Sequence, residues 1–126
     1  MKRYVVFLYI ALIFILTIIP FQKSTLSDIN EIYVLEVRLD YLFHIILFLP
    51  WVFICEFSFG GFTNKGRIFV LLVGVFLAAA SELFQLMILY RAFNINDLIY
   101  NVAGILAGSI IWIFFYKRNK VHEKSR

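Results

Sequence analysis

The stretch "SELFQLMILYRAFNINDLIYNVAGILAG", Ser81 to Gly108, decides the fold. It joins two apolar tracts through a short polar turn that holds Arg91 and Asp97. Before the turn, residues 68–90 carry one charged group, Glu82; after it, residues 98–116 carry none. A helix needs about 20 mostly apolar residues to cross a bilayer core, and both tracts meet that length. Two more tracts lie upstream. Residues 4–22 are free of charge, and so are residues 41–55, which reach a spanning length if the helix runs on through Phe59. An open strand would leave backbone groups unpaired in lipid, so helices are the expected spanning elements. The fold class read from this pattern is all-α, a four-helix transmembrane bundle. The helices are expected at about 4–20, 41–59, 68–90 and 97–116, within a single integral membrane domain over 1–126 that ends in a basic tail, 117–126.

Composition agrees with lipid as the solvent. The 126 residues are 63% hydrophobic and only 16% charged, with a mean hydropathy of +0.89. The first tract follows Lys2 and Arg3, as a signal peptide would. The sequence after it, "IIPFQKSTL", holds no small-x-small cleavage site, so a retained helix is expected.

Basic residues orient the helices, because Lys and Arg collect on the cytoplasmic side. Four spans place both termini and the 58–67 loop together. That side holds Lys2, Arg3, Lys65, Arg67, Lys117, Arg118, Lys120, Lys124 and Arg126, against Lys23, Arg38 and Arg91 on the other. Both termini of this multi-pass chain are therefore expected in the cytoplasm. The net charge of +4 then records topology and attraction to anionic lipid, and no nucleic-acid partner is implied. The single cysteine, Cys55, reads as packing, and no phosphate loop, nucleotide fingerprint or soluble catalytic motif occurs.

Polar groups inside such a chain are the informative feature. With this topology Asp40 stands at the outer mouth of the second helix, and His44 lies one turn, about 6 Å, deeper on the same face. Glu82 lies nine residues before Arg91, roughly 13 Å below the outer end of the third helix, with Gln85 on the same side. Asp97, Asn101, Gly104 and Gly108 step by four, three and four along the fourth helix, one narrow stripe at about 100° per residue. These groups converge in the outer half of the membrane. A charged side chain at mid-bilayer costs about 2.5–3.5 kcal/mol on insertion scales, so such groups face the bundle interior and pair. Asp40, His44, Glu82, Gln85, Arg91, Asp97 and Asn101 are the candidate ligand-binding residues.

Each residue also has a plainer reading. Asp40 and Asp97 suit helix N-caps, Arg91 suits a side chain snorkelling to the head groups, and Asn101 suits interhelical glue. Gly104 and Gly108 form a GxxxG pattern, read as close helix packing. Pro50 is expected to kink the second helix below His44.

The ordered motifs resemble the VanZ-like family of small bacterial membrane proteins. The matching elements are Asp40-x-x-x-His44, Glu82-x-x-Gln85, Arg91-x-Phe93 and Asp97-x-x-Asn101-x-x-Gly104-x-x-x-Gly108, with "IIPF" at 18–21. The chain departs from the family pattern at Tyr41, where a lysine is frequent, and at "LYR", 89–91, where "PGR" is frequent. The resemblance implies a polytopic protein of the cell envelope, expected in the bacterial inner membrane, and a family label of resistance to teicoplanin, a lipid-tailed glycopeptide antibiotic.

Three functions fit the residues. The first is recognition of an envelope lipid or lipid-tailed glycopeptide by the outer polar cluster, modulating antibiotic tolerance. The second is an intramembrane enzyme acting on an envelope amphiphile, with His44, Glu82 and Asp97 as catalytic candidates; Cys55 lies at the wrong end and Ser81 off the face for a nucleophile. The third is ion or proton conduction, which lacks a second polar site in the inner half. A purely structural accessory subunit, with the cluster as a clasp between helices, is the bland alternative. The expected partners are a membrane lipid or lipid-tailed molecule, with a second copy of the chain or another membrane protein as further partner classes. No metal site and no cofactor is implied.

Overall fold

A computed structural model describes residues 2–18, 33–34, 37–87 and 94–124. Apart from one minimal ladder, the regular elements among the described residues are helices; in chain order the elements are α1 (Tyr4–Ile18), β1 (Tyr33–Val34), β2 (Val37–Arg38), α2 (Leu39–Phe48), α3 (Trp51–Phe59), α4 (Asn64–Leu86) and α5 (Ile95–Lys124). The strands pair antiparallel, Tyr33 with Arg38 and Val34 with Val37, and β2 leads directly into α2.

Pro50 divides α2 from α3. Leu49 N–H still reaches Ile45 O at 2.9 Å, but proline has no N–H to continue the ladder, which resumes with Ile54 N–H on Pro50 O. The backbone at Pro50 stays near the right-handed helical region, so the two segments read as one broken span, Asp40–Phe59. Two glycines end it. Gly60 and Gly61 both have φ near +60°, where a side chain is strained. Their N–H groups bind Glu56 O at 2.8 Å and Glu56 Oε1 at 3.1 Å. Glu56 thus closes its own helix through both its carbonyl and its side chain. Two residues later Thr63 caps α4, its Oγ1 accepting from Gly66 N–H at 3.3 Å.

Three helical spans are long and apolar enough to cross a membrane: Asp40–Phe59, Asn64–Leu86 and Ile95–Tyr116. They correspond to the second, third and fourth of the expected helices. The first, α1, is strongly apolar and described over Tyr4–Ile18, 15 residues or about 22 Å at 1.5 Å per residue; its expected end near residue 20 lies outside the described residues. Two boundaries move. The third helix starts at Asn64 rather than near 68, because Thr63 supplies a cap ahead of Lys65 and Arg67. The fourth runs from Ile95 through Lys124, so the basic tail continues as helix. The outward surfaces carry Phe7, Phe69, Phe76, Ile110 and Phe114, all exposed large apolar side chains suited to lipid.

The helix α5 lies at the centre, packed on α2, α3 and α4, while α1 lies mainly on α3 and α4. The core joins Phe48, Trp51, Val52 and Cys55 to Val70, Leu77 and Ala78, to Ile105 and Trp112, and to Val6 and Ile13. Trp51 donates Nε1–H to Val70 O at 2.8 Å across Gly74, whose missing Cβ makes room for the indole. Tyr9 donates its hydroxyl to Leu47 O, tying α1 to the end of α2. At the closest approach, a Cβ on Gly104 would meet Ile45 O and a Cβ on Gly108 would meet Leu49 O. The backbones of α2 and α5 therefore touch directly, as small-residue stripes allow.

Candidate functional site

That contact sets the geometry one turn away. Gly104 seats α5 against Ile45, the residue after His44; Asn101, three residues before Gly104, then meets His44 itself. His44 Nδ1 and Asn101 Oδ1 lie 2.9 Å apart. The other end of the amide, Asn101 Nδ2, donates to Glu82 Oε1 on α4 at 2.9 Å. On the far side of the imidazole, Nε2 faces Asp97 Oδ2 at 3.6 Å. Four polar side chains from three helices thus form one continuous chain, Glu82–Asn101–His44–Asp97.

Burial grades along it. Glu82 is 0% exposed and Asn101 1%. The side chains of His44 and Asp97 are 17% and 14% exposed. The chain therefore runs from a sealed carboxyl group to a partly exposed edge. Gln85 is buried one turn beyond Glu82 on α4. Ser81, also buried, turns its hydroxyl back to Ala78 O at 2.8 Å. Asp40 lies half-buried in the first turn of α2. The helix begins one residue earlier, at Leu39, so Asp40 does not occupy the cap position. Arg91 lies outside the described residues.

The start of α5 differs from the plain reading of Asp97 as its N-cap. Asn94 takes that place. Its Oδ1 accepts from Asn96 N–H at 3.0 Å, and its carbonyl receives the first helical bonds, from Asp97 and Leu98 N–H. Asp97 is the third helical residue, and Asn94 Nδ2 donates to its Oδ1 at 2.9 Å. Capping by Asn94 leaves the carboxylate of Asp97 to point across at His44. The sequence signal was present in "NIND", where either Asn94 or Asp97 can cap; only the onset of the helix at Ile95 separates them.

Sequence reasoning missed a second component beside the chain. Tyr41 and Tyr100 stack with centroids 4.4 Å apart and planes 13° from parallel. Asn96 Nδ2 approaches the Tyr41 hydroxyl at 3.5 Å. Tyr41 is three residues before His44 and Tyr100 three after Asp97, so each ring shares a helix face with its polar neighbour. Spacing alone would have found each tyrosine, but not the stacking between helices.

Among the described residues no group of three or more His, Cys, Asp or Glu side chains is placed to hold a metal ion. Cys55 is buried among the apolar side chains of the core, away from the chain of polar groups.

A family model described as VanZ/LLP1 matches residues 5–116, most of the sequence. No curated protein and no solved structure matches.

Proposed function

The chain belongs to the VanZ/LLP1 family, and from that premise we propose that it binds the head group of an envelope lipid or lipid-tailed molecule through the chain Glu82–Asn101–His44–Asp97. The protein sits in the bacterial inner membrane with both termini cytoplasmic, as the distribution of Lys and Arg favours. The polar edge then opens to the outer leaflet. There a tailed glycopeptide such as teicoplanin is a candidate ligand, and binding would modulate tolerance to it.

One observation carries this reading: a chain of polar groups, hydrogen-bonded from Glu82 through Asn101 to His44 and facing Asp97, that is sealed at Glu82 and partly exposed at His44 and Asp97. A clasp serves helix packing best when fully buried. Interhelical hydrogen bonds of that kind contribute about 0.6–2 kcal/mol in membranes, and an exposed end adds little. An exposed end on a rigidly held imidazole is what a binding site requires.

The test is mass spectrometry of the purified protein after exposure to envelope lipids, alongside the variants His44→Asn and Glu82→Gln. The expected result is a retained amphiphile that both variants lose while keeping helix content. Equal retention by all three proteins would leave the cluster a clasp. Recovery of chemically altered amphiphile would replace binding by turnover.

A further inference from the structure

The end of the bundle opposite the polar chain holds a fixed cation with too few acceptors. The Arg67 guanidinium lies 4.6 Å from the ring centroids of both Trp112 and Tyr116. Ring faces attract its charge but offer its N–H donors no lone pair in return. Among the described residues only Nη1 has an acceptor, Asn64 Oδ1 at 3.4 Å, longer than a good hydrogen bond. Nε is buried and has none. The first turn of α4, which carries Arg67, holds no acidic residue. Glu56, on α3, turns its Oε1 to Gly61 N–H. Lys65 shares the first turn with Arg67, at the positive end of the helix dipole. Lys2, 5.4 Å over Phe57, brings a further cation to this end from ahead of α1. Positive charge thus gathers where the helix favours an anion.

The level is that of a membrane boundary. Asn64 opens one apolar span, Tyr116 closes another, and the third ends at Phe59. Past Tyr116 the helix α5 continues through Lys124, over a stretch whose sequence holds Lys117, Arg118 and Lys120. In the other direction the surface is apolar: Ile68 and Phe69 follow Arg67 on α4, and both are exposed, as is Phe115 on α5. A cation with spare donors beside exposed apolar side chains fits a molecule with an anionic head and apolar tails. Basic pockets between spanning helices bind lipid head groups of that kind.

We propose that Arg67 anchors the phosphate of an anionic membrane lipid at this end of the bundle, with the acyl chains lying along the face that exposes Ile68 and Phe69. The phosphate accepts from Nη1 and Nη2 together, a geometry that suits the planar fork of a guanidinium. Trp112 and Tyr116 hold the fork in place. Lys2 and Lys65 favour a head group that carries no ammonium of its own. The site is separate from the chain Glu82–Asn101–His44–Asp97 and does not depend on the function proposed for it.

The experiment uses the full chain in phosphatidylcholine nanodiscs doped with phosphatidylglycerol or phosphatidylethanolamine, with native mass spectrometry reading the bound lipid. Phosphatidylglycerol should be held in preference to phosphatidylethanolamine. It should survive a wash in about 1 M salt, where diffuse attraction is screened within roughly 3 Å. Arg67→Lys keeps the charge but loses the fork, and should weaken binding by about tenfold, the worth of one charge-assisted hydrogen bond. Lys124→Gln, which removes a charge from the far end of α5, should leave the lipid in place. So should His44→Asn, so that failure here and failure of the polar-end reading are told apart.

Binding by Arg67→Lys equal to that of the unmutated chain, or release of the lipid by the salt wash, means diffuse attraction and overturns the site. Equal binding of phosphatidylethanolamine overturns the anionic assignment. Displacement by excess inorganic phosphate overturns the lipid as the source of the phosphate. Circular dichroism checks that Arg67→Lys keeps its helix content. If it does not, the salt wash and the phosphate competition on the unmutated chain decide the question.

Discussion

At one end of the helices Glu82, Asn101, His44 and Asp97 are linked through the two ends of one amide and the two nitrogens of one ring. At the other end the Arg67 guanidinium lies 4.6 Å from the centroids of both Trp112 and Tyr116, themselves stacked at 5.0 Å, and Lys2 lies 5.4 Å over Phe57. Both ends join helices through polar groups, but by different physics. A ring face accepts a cation over a broad range of positions, for about 0.5–2 kcal/mol, and no donor needs a particular acceptor. In the polar chain the two ends of the Asn101 amide have fixed directions, one to Glu82 and one to His44, and a change at one member passes to the next. The aromatic end holds the helices together and tolerates variation. The polar end has a defined chemistry and depends on the backbone contact that sets its distances.

The largest expected effect lies at that backbone contact. Gly108→Val places a branched side chain against Leu49 O, where even one carbon has no room. It should separate α2 from α5 and cost about 3 kcal/mol, the upper part of the usual range for overpacking. Thermal unfolding in detergent checks it, and an unchanged midpoint would mean that the two backbones are not in contact.

Asn101→Leu comes next. It removes both bonds the amide makes, to Glu82 and to His44, inside a sealed site. A loss of about 2 kcal/mol is expected, together with loss of ligand retention. Asn101→Asp should restore neither, because an ionised carboxylate only accepts and would face Glu82.

Glu82→Gln separates structure from function most sharply. The amide oxygen of Gln still accepts from Asn101, so stability should change by less than about 1 kcal/mol. Ligand retention should nevertheless fall, because an amide can also donate and no longer dictates which way Asn101 turns. Full retention at normal abundance would reduce the polar end to a clasp.

The smallest effect belongs to the aromatic end. Arg67→Gln loses the cation over Trp112 and Tyr116 and should cost about 0.5–1 kcal/mol, with retention by the polar end unchanged. Loss of that retention would mean that the two ends are coupled, and the comparison would fail.

The chain by itself determined the solvent, the helical class and the candidate residues. Apolar runs long enough for a bilayer leave the backbone little choice but helix. The cost of burying polar groups in such runs directs Glu82 and Asn101 inward, where both are found sealed. The stripe from Asp97 to Gly108 was legible because helical periodicity puts its members on one face. The break at Pro50 was legible because proline lacks a donor wherever it stands.

Only the tertiary structure decided which groups meet and in what role. The choice of Asn94 over Asp97 as cap depends on where α5 begins, and capping residues compete within a single turn. The start of the third expected helix at Asn64 and the helical course of 117–124 follow from local signals that hydropathy does not mark. The stacking of Tyr41 on Tyr100, and the placement of Asn101 between His44 and Glu82, depend on how closely α2 and α5 approach. That approach is set by Gly104 and Gly108 against the backbone of Ile45 and Leu49. Periodicity reports which face of a helix a residue occupies. Distance, and with it the direction of each hydrogen bond, arises only when two such faces are pressed together.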